Sequence, residues 1–534
     1  MNSKTLGILL IFLAVFFNFY LRYPFLNIPL ERDEGEYAYI SNVIADGGLP
    51  YKDAFDQKPP AVFYLYYLVF LLFGKKVIAL RLFAAFYNLF SVYFVYKIGK
   101  LIKGRDLGLI SALIFAITSS ERRLLGFSAN TEIFMLLPSI AGVYYALAYL
   151  ETKKISKVVV SGILLSISVL FKQPAFFNIV FVLCVLIFYG IINKEEICWH
   201  IKTPLLISSA FALPLLLVSI YFYANNGFGE FKYQVFLHNL AYVGWDMPWN
   251  VAIKNLIDTL KFILSSQAVF WAMLLAGIVF MILKKQYTKY FAFLLAWFVL
   301  SFAAISLGKR FTLHYFEQLM PPLSLIAGTG FFSIASIFSK GKTPKPLLIA
   351  VMVFLLIILV PYNANKAYSS YTPEELSYAI YSGNPFNEDV TAAKYIGEKT
   401  SKEQTIFVVG SEPQIYFYTG RHSASKYIFF YPLTGGYSNA LAKQKEVIND
   451  INAKKPEYII YANYALSLGI TPSSPAYIFE EVNKILQGYN LEALVIPQNP
   501  NITYTGAELD AIFKRNTDIF NKEGLFIYKR KKQI

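Results

Sequence analysis

From Leu6 to Tyr362 the chain consists of long apolar runs broken by short polar stretches. Runs of about 17 to 25 mainly apolar residues can cross a hydrocarbon core of roughly 30 Å, and about eleven of them occur. The expected spans are 5–22, 82–102, 107–120, 132–150, 157–172, 175–192, 204–223, 262–283, 288–306, 320–339 and 346–362. Only "FKQPA" separates the fifth from the sixth, and the ring of Pro174 cannot continue a helix there. One further apolar stretch, "PPAVFYLYYLVFLLFG", is too short to span and predicts a helix lying in the membrane interface, where its Tyr and Phe side chains are at home.

After Tyr362 the period changes. "TIFVVG", "KYIFF", "EYIIYAN", "EALVIP" and "LFIYKR" read as short β-branched and aromatic strands, and "SNALAKQKEVINDINAKK" reads as a helix between them. The organisation expected is a polytopic α-helical membrane domain over 1–362, with a long first loop at 22–81, and a soluble α/β domain over 363–534.

Composition strengthens the membrane reading: 56% of the 534 residues are hydrophobic and only 16% are charged, against about 25% charged in soluble domains. Charge then sets an expected orientation. Short alternate loops carry Lys97, Lys100, Lys103 and Arg105; Lys153, Lys154 and Lys157; Lys194 and Lys202; Lys284, Lys285 and Lys289; and Lys340, Lys342 and Lys345. By the positive-inside rule these loops face the cytoplasm, the stretch after Lys4 is a retained signal-anchor, and the first loop and the C-terminal domain lie outside. The net charge of +15 then needs no nucleic acid as partner. Cys184 and Cys198 make no disulfide framework.

The candidate chemistry gathers in the loops expected outside. In "PLERDEGEYAYISN" five of the six positions from Glu31 to Glu36 are charged, too many to lie within a bilayer. One reading is local: Asp33 as a helix N-cap, with Glu36 completing a capping box and Gly47-Gly48 ending the helix. It leaves Glu31 and Glu34 to solvent. Next, Lys58 precedes Pro59 and Pro60 at the start of the interfacial helix. There it is either a grip for a lipid phosphate, sharing that anion with the exposed helix N–H groups, or an ordinary snorkelling lysine.

Further basic and acidic groups fall on the same expected side: Arg81 at the second span, Arg122 and Arg123 with Glu132 around "ERRLLGFSANTE", and Lys309, Arg310, His314, Tyr315 and Glu317 in "GKRFTLHYFEQLMPP". Lys172 and Gln173 mark either a tight turn or a further polar contact. His314 has no second His or Cys at ligand spacing, so no metal is indicated. Neither GxGxxG nor GxxxxGK[ST] occurs, so no nucleotide loop is indicated either.

Taken in order, these residues resemble the C-type (GT-C) membrane glycosyltransferases. The features are the Asp-Glu pair of the first loop, Lys-Pro-Pro before an interfacial helix, an Arg at the next span, Lys-Gln-Pro between later spans, and His-Tyr before a Pro-Pro span. Within that group the chain is similar to the protein O-mannosyltransferase superfamily, which includes the bacterial lipid A aminoarabinose transferases. The resemblance covers about residues 1–362. It implies a polyprenyl-phosphate-linked sugar donor, and Asp33 as catalytic base with Glu34 as its acidic neighbour; it names no certain cofactor and leaves a divalent metal open, though none is indicated. It also implies donor-phosphate contacts from Lys58, Arg81, Arg123 and Lys172, and substrate contacts from Glu132, Arg310, His314 and Tyr315.

The chemistry agrees with the residue types. A sugar joined through C1 to a phosphate carries its own leaving group. The enzyme must then deprotonate an acceptor hydroxyl and stabilise phosphate charge. The expected activity is inverting transfer to a glycan, lipid or protein acceptor on the outer face of the cytoplasmic membrane. Two other readings are a transporter or flippase of lipid-linked sugars and a glycan-binding receptor. Transporters place ionisable groups at the bilayer midplane, often in repeated halves, whereas these charges gather at one face. A receptor leaves the first-loop cluster without a task.

Overall fold

Leu6, Leu10, Ala14 and Phe17 recur every three or four residues and form the buried stripe of helix Ser3–Tyr20, while Ile8, Ile11, Phe12 and Val15 are exposed. A helix apolar all round suits a position where its outward face meets an apolar medium too. The computed structural model describes residues 3–243, 247–266, 268–284, 287–338, 368, 370–498, 501–515 and 522–532. Among these, seven helices are long and apolar enough to cross a membrane, or eight if the pair Trp249–Leu264 and Ala268–Leu283 is one bent span.

That pair corrects the expected span 262–283, because the two helices meet at 104°. The hydroxyls of Ser265 and Ser266 donate to the carbonyls of Phe262 (2.8 Å) and Ile263 (2.9 Å), which closes off the first helix locally. Two other expected spans coincide with the shorter helices Arg105–Thr118 and Ile155–Phe171. The eleventh, 346–362, lies outside the described residues.

The chain forms two compact units. The first comprises Met1–Leu26, Ile78–Tyr221 and Asp246–Ser370, and it holds most of the long apolar helices. Its packing resolves conflicts that apolar sequence creates. Pro138 lies inside helix Thr131–Thr152 and has no N–H to give the carbonyl of Phe134; the Tyr87 hydroxyl donates to that carbonyl at 2.8 Å. Helices Ala268–Leu283 and Met320–Phe338 approach so closely at Gly277 and Gly330 that any side chain there would meet the partner's backbone.

The second unit comprises Asn27–Val77, Phe222–Trp245 and Tyr371–Ile534, so the first loop folds with the C-terminal domain. That domain carries a five-stranded sheet in the order β1-β2-β5-β3-β4. The strands are β1 (Ile406–Val409), β2 (Tyr458–Asn463), β3 (Tyr489–Ile496), β4 (Ile502–Thr505) and β5 (Gly524–Arg530). β1 and β2 pair in parallel with Ile406 opposite Tyr458, and helix Ala440–Lys454 lies in the connection between them. The remaining pairings are antiparallel, with an irregularity at Glu492 in β3.

Four of the five predicted strands form. "KYIFF" does not, because its backbone is satisfied differently: the Ser411 hydroxyl accepts from Phe430 N at 2.9 Å, and the Lys426 carbonyl accepts from Phe55 N of the first loop at 2.8 Å. Consecutive burial of Tyr427, Ile428, Phe429 and Phe430 shows that the segment is a buried connection without the alternation of a half-exposed strand. β4, which the sequence reading missed, is only four residues long.

Candidate active site

The acidic stretch of the first loop builds the start of helix Arg32–Ala45. Its N-cap is Glu31, whose carboxylate accepts from the backbone N–H groups of Asp33 and Glu34, both at 3.1 Å. The Glu34 carboxylate accepts from Glu31 N at 3.3 Å and completes a capping box. The box therefore sits two residues earlier than the predicted Asp33/Glu36 box. Glu31 has the task that the sequence reading could not find for it, and Asp33, in the first turn, is relieved of capping.

This shift distinguishes the acids. Glu34 and Glu36 are buried, whereas the Asp33 side chain keeps 27% of its surface exposed. Asp33 is thus partly open to solvent, as Glu34 and Glu36 are not. Its Oδ2 lies 3.5 Å from the Nζ of Lys58, which also sits 5.4 Å from the centre of the Tyr37 ring.

Lys58 is placed by a tightly bonded loop. Its N–H donates to Asp56 Oδ1 at 2.7 Å and its carbonyl accepts from the Tyr51 hydroxyl at 2.8 Å. Gln234 clamps the same loop, accepting from Asp56 N at 3.0 Å and donating to the Tyr51 carbonyl at 2.7 Å. The apolar helix then begins at Ala61 with Pro60 as N-cap, so Lys58 stands two residues before the cap.

Burial is the largest influence on Glu36, Asp56 and Lys58. It pushes Glu36 well above the usual carboxylate range, and the neighbouring Asp56 and Asp33 add to the effect. Asp56 is pushed up to about 6, chiefly by burial, with Lys58 opposing the rise. Burial alone would lower the Lys58 ammonium, but Asp33, Tyr37, Asp56 and Glu36 together outweigh it and hold Lys58 firmly protonated. Glu36 enters the sequence reading only as a capping partner, and Asp56 not at all. Glu36 follows Asp33 at helical spacing and Asp56 precedes Lys58 by two, the only signals that could have found them.

A second cluster lies in the other unit. Lys172 and Glu132 form an ion pair, His314 Nε2 is 3.6 Å from Glu132 Oε1, and the Lys172 ammonium sits 4.2 Å from the centre of the Tyr315 ring. Thr131 Oγ1 donates to the other carboxylate oxygen of Glu132 at 3.0 Å. Local sequence explains the placement. Lys172 ends helix Ile155–Phe171 in an extended conformation before the short turn Gln173–Ala175 forced by Pro174, and Glu132 occupies the first turn of helix Thr131–Thr152.

Four of the predicted residues are thus brought together. Others are engaged elsewhere. Arg81 is fully buried and donates to the Phe25 carbonyl at 2.8 Å. Arg123 donates to the Phe262 carbonyl at 2.6 Å and to the Ser265 hydroxyl, at the end of helix Trp249–Leu264. Arg310 is half-buried in the connection after helix Thr288–Ser306.

Comparison with solved structures settles the architecture. The archaeal oligosaccharyltransferase AglB from Archaeoglobus fulgidus, in complex with an inhibitory peptide and a dolichol-phosphate, is 12% identical. The match covers 95% of this chain and 75% of that one with a TM-score of 0.52. ArnT from Cupriavidus metallidurans bound to undecaprenyl phosphate is 14% identical, and that match covers 86% of this chain and 94% of ArnT with a TM-score of 0.56. The chain has the GT-C fold. The GT-C assignment agrees with the family model described as dolichyl-phosphate-mannose-protein mannosyltransferase, which matches residues 57–222, and with the resemblance to the protein O-mannosyltransferase and ArnT-like superfamily. Curated protein sequences give no match. With its apolar helices, this GT-C chain is a multi-pass membrane protein.

Proposed function

We propose that the chain is a membrane glycosyltransferase that moves a sugar from a polyprenyl-phosphate-linked donor to an acceptor hydroxyl by direct displacement. The observation that carries the reading is the Asp33–Lys58 pair: a partly exposed carboxylate 3.5 Å from an ammonium held in its charged form. Asp33 takes the acceptor proton as the acceptor oxygen bonds to C1. The C1–O bond to phosphate breaks, its electron pair leaves with the polyprenyl phosphate, and Lys58 stabilises that charge. Attack opposite the leaving group inverts C1.

Lys58 also gives the two events a link. While it pairs with Asp33 it weakens the carboxylate as a base. A donor phosphate that draws the ammonium away restores the basicity of Asp33, so proton removal follows donor binding. The Glu34 carboxylate, which closes the capping box, holds the backbone turn on which Asp33 stands. By the resemblance, Arg81, Arg123 and Lys172 are assigned with Lys58 to the donor phosphate, and Glu132, Arg310, His314 and Tyr315 to substrate binding. The Lys and Arg distribution among short loops supports an active site and a C-terminal domain outside the cytoplasmic membrane.

The test is reconstitution of the full chain in vesicles with synthetic polyprenyl-phosphate sugars and a mixture of glycan, lipid and peptide acceptors. Release of free polyprenyl phosphate together with sugar of inverted anomeric configuration on an acceptor is the expected result. Movement of the intact labelled donor across the bilayer without release would replace the transferase reading by that of a flippase.

A further inference from the structure

Arg32 opens helix Arg32–Ala45 and immediately precedes Asp33. Its guanidinium is buried and mounted on the C-terminal domain at four points. Nε donates to the Ser411 carbonyl at 2.5 Å, Nη1 to the Tyr431 hydroxyl at 2.7 Å, and Nη2 to Glu412 at 3.0 Å and Asn384 at 3.1 Å. The Tyr431 and Phe386 rings lie 5.2 and 5.8 Å from its central carbon. Five N–H groups in one rigid plane make arginine suited to such a mount, and lysine cannot reproduce it.

Neighbouring turns are fixed to the same domain. The Tyr418 hydroxyl accepts from Leu30 N at 2.8 Å, and the Tyr39 hydroxyl accepts from Ser423 N at 2.9 Å. Gly35 lies so close to Gln414 that a Cβ there would stand 2.7 Å from the Gln414 side-chain oxygen and 2.9 Å from its backbone nitrogen. Residues 32, 35 and 39 share one helical face, and Asp33 stands about 100° round the helix from Arg32.

We infer that Arg32 is a positioning residue for Asp33, and that its mount of Ser411, Glu412, Tyr431 and Asn384 makes the C-terminal domain part of the transfer machinery. The inference rests on the proposed role of Asp33 as base. A base displaced by about 1 Å can lose on the order of 10²-fold in rate while substrate binding persists. The mount fixes the first helical residue in space, and the position of Asp33 follows from it.

The test uses the purified full chain with a synthetic polyprenyl-phosphate sugar. Wild-type transfer and its loss in Asp33→Asn come first, and failure of either sinks the proposed function itself. With both in hand, Arg32→Lys is expected to lower kcat roughly 10- to 100-fold and to leave KM for the donor within about twofold. Tyr431→Phe and Asn384→Ala are each expected to lower kcat by a smaller factor, and neither should lower it further when combined with Arg32→Lys, as befits groups acting through one contact. A folded Arg32→Lys chain with wild-type kcat, a loss confined to KM, or independent multiplication of the effects would overturn the inference. Should Arg32→Lys not fold, unchanged kcat in both Tyr431→Phe and Asn384→Ala would overturn it equally.

Discussion

The Nζ of Lys58 lies 3.5 Å from the Oδ2 of Asp33, across 25 positions of sequence. Two devices bring them together: a capping box that holds the first turn carrying Asp33, and a loop tied by Tyr51, Asp56 and Gln234 that holds Lys58. A partly exposed ion pair contributes only about 0–1 kcal/mol to stability. Backbone positions fixed independently by both devices suit a pair kept for chemistry.

Replacing Asp33 by Asn should therefore leave the fold intact and lower kcat by roughly 10²–10⁴, the usual worth of a general base. Donor affinity should hold or rise, because the phosphate partner Lys58 remains and is no longer paired with a carboxylate. Lys58→Gln should instead raise KM for the lipid-linked donor as well as lower kcat. Steady-state kinetics with a synthetic donor separate the two patterns, and identical patterns would contradict the division of roles.

The capping box yields a stability prediction. Glu31→Ala removes the acceptor for the backbone N–H groups of Asp33 and Glu34 and should cost about 1 kcal/mol. Glu31→Asp puts a preferred capping residue in its place and should retain most of that stability. Thermal unfolding of the two variants decides it, and an alanine variant as stable as wild type would show that the box contributes nothing.

Much of this arrangement was legible in the sequence, for reasons that also mark where legibility ended. Pro174 announced the break beside Lys172 because a proline ring excludes helix, and the apolar runs announced spans because lipid demands them. Burial of "KYIFF" misled, since a continuous apolar run does not distinguish a strand from a buried connection. The capping box was placed two residues late because Asp and Ser are the usual caps and Glu31 is not. The mount of Arg32 was invisible, because Glu412 lies 380 residues away and local sequence carries no sign of such a pairing.

The Glu132–Lys172 pair leads to a sharper energetic prediction, since only 2% and 10% of the two side chains are exposed. Removing one partner of a buried pair strands the other charge and typically costs about 3–5 kcal/mol. Lys172→Met should thus destabilise the chain strongly, and Lys172→Met combined with Glu132→Gln should recover most of the loss. Thermal unfolding in detergent tests this. A double variant no better than the single one would mean that the lysine acts through packing rather than through charge.

Asp56 and Glu36 make stability depend on pH in a defined direction. Burial pushes Asp56 from 3.8 up to about 6, so between roughly pH 4 and 6 the folded chain keeps a proton that the unfolded chain has lost. The associated stability is fully present below about pH 4 and is lost as pH rises through about 6. Asp56→Asn keeps an oxygen to accept from Lys58 N but cannot titrate, and it should flatten that part of the curve. Lys58→Gln removes the ammonium that opposes the rise in Asp56 and should carry the loss to higher pH. Unfolding midpoints of wild type and both variants between pH 4 and 8 provide the measurement. Parallel curves for all three would mean that Asp56 takes no part in the titration, and Lys58 would then govern Asp33 without the buried carboxyls behind it.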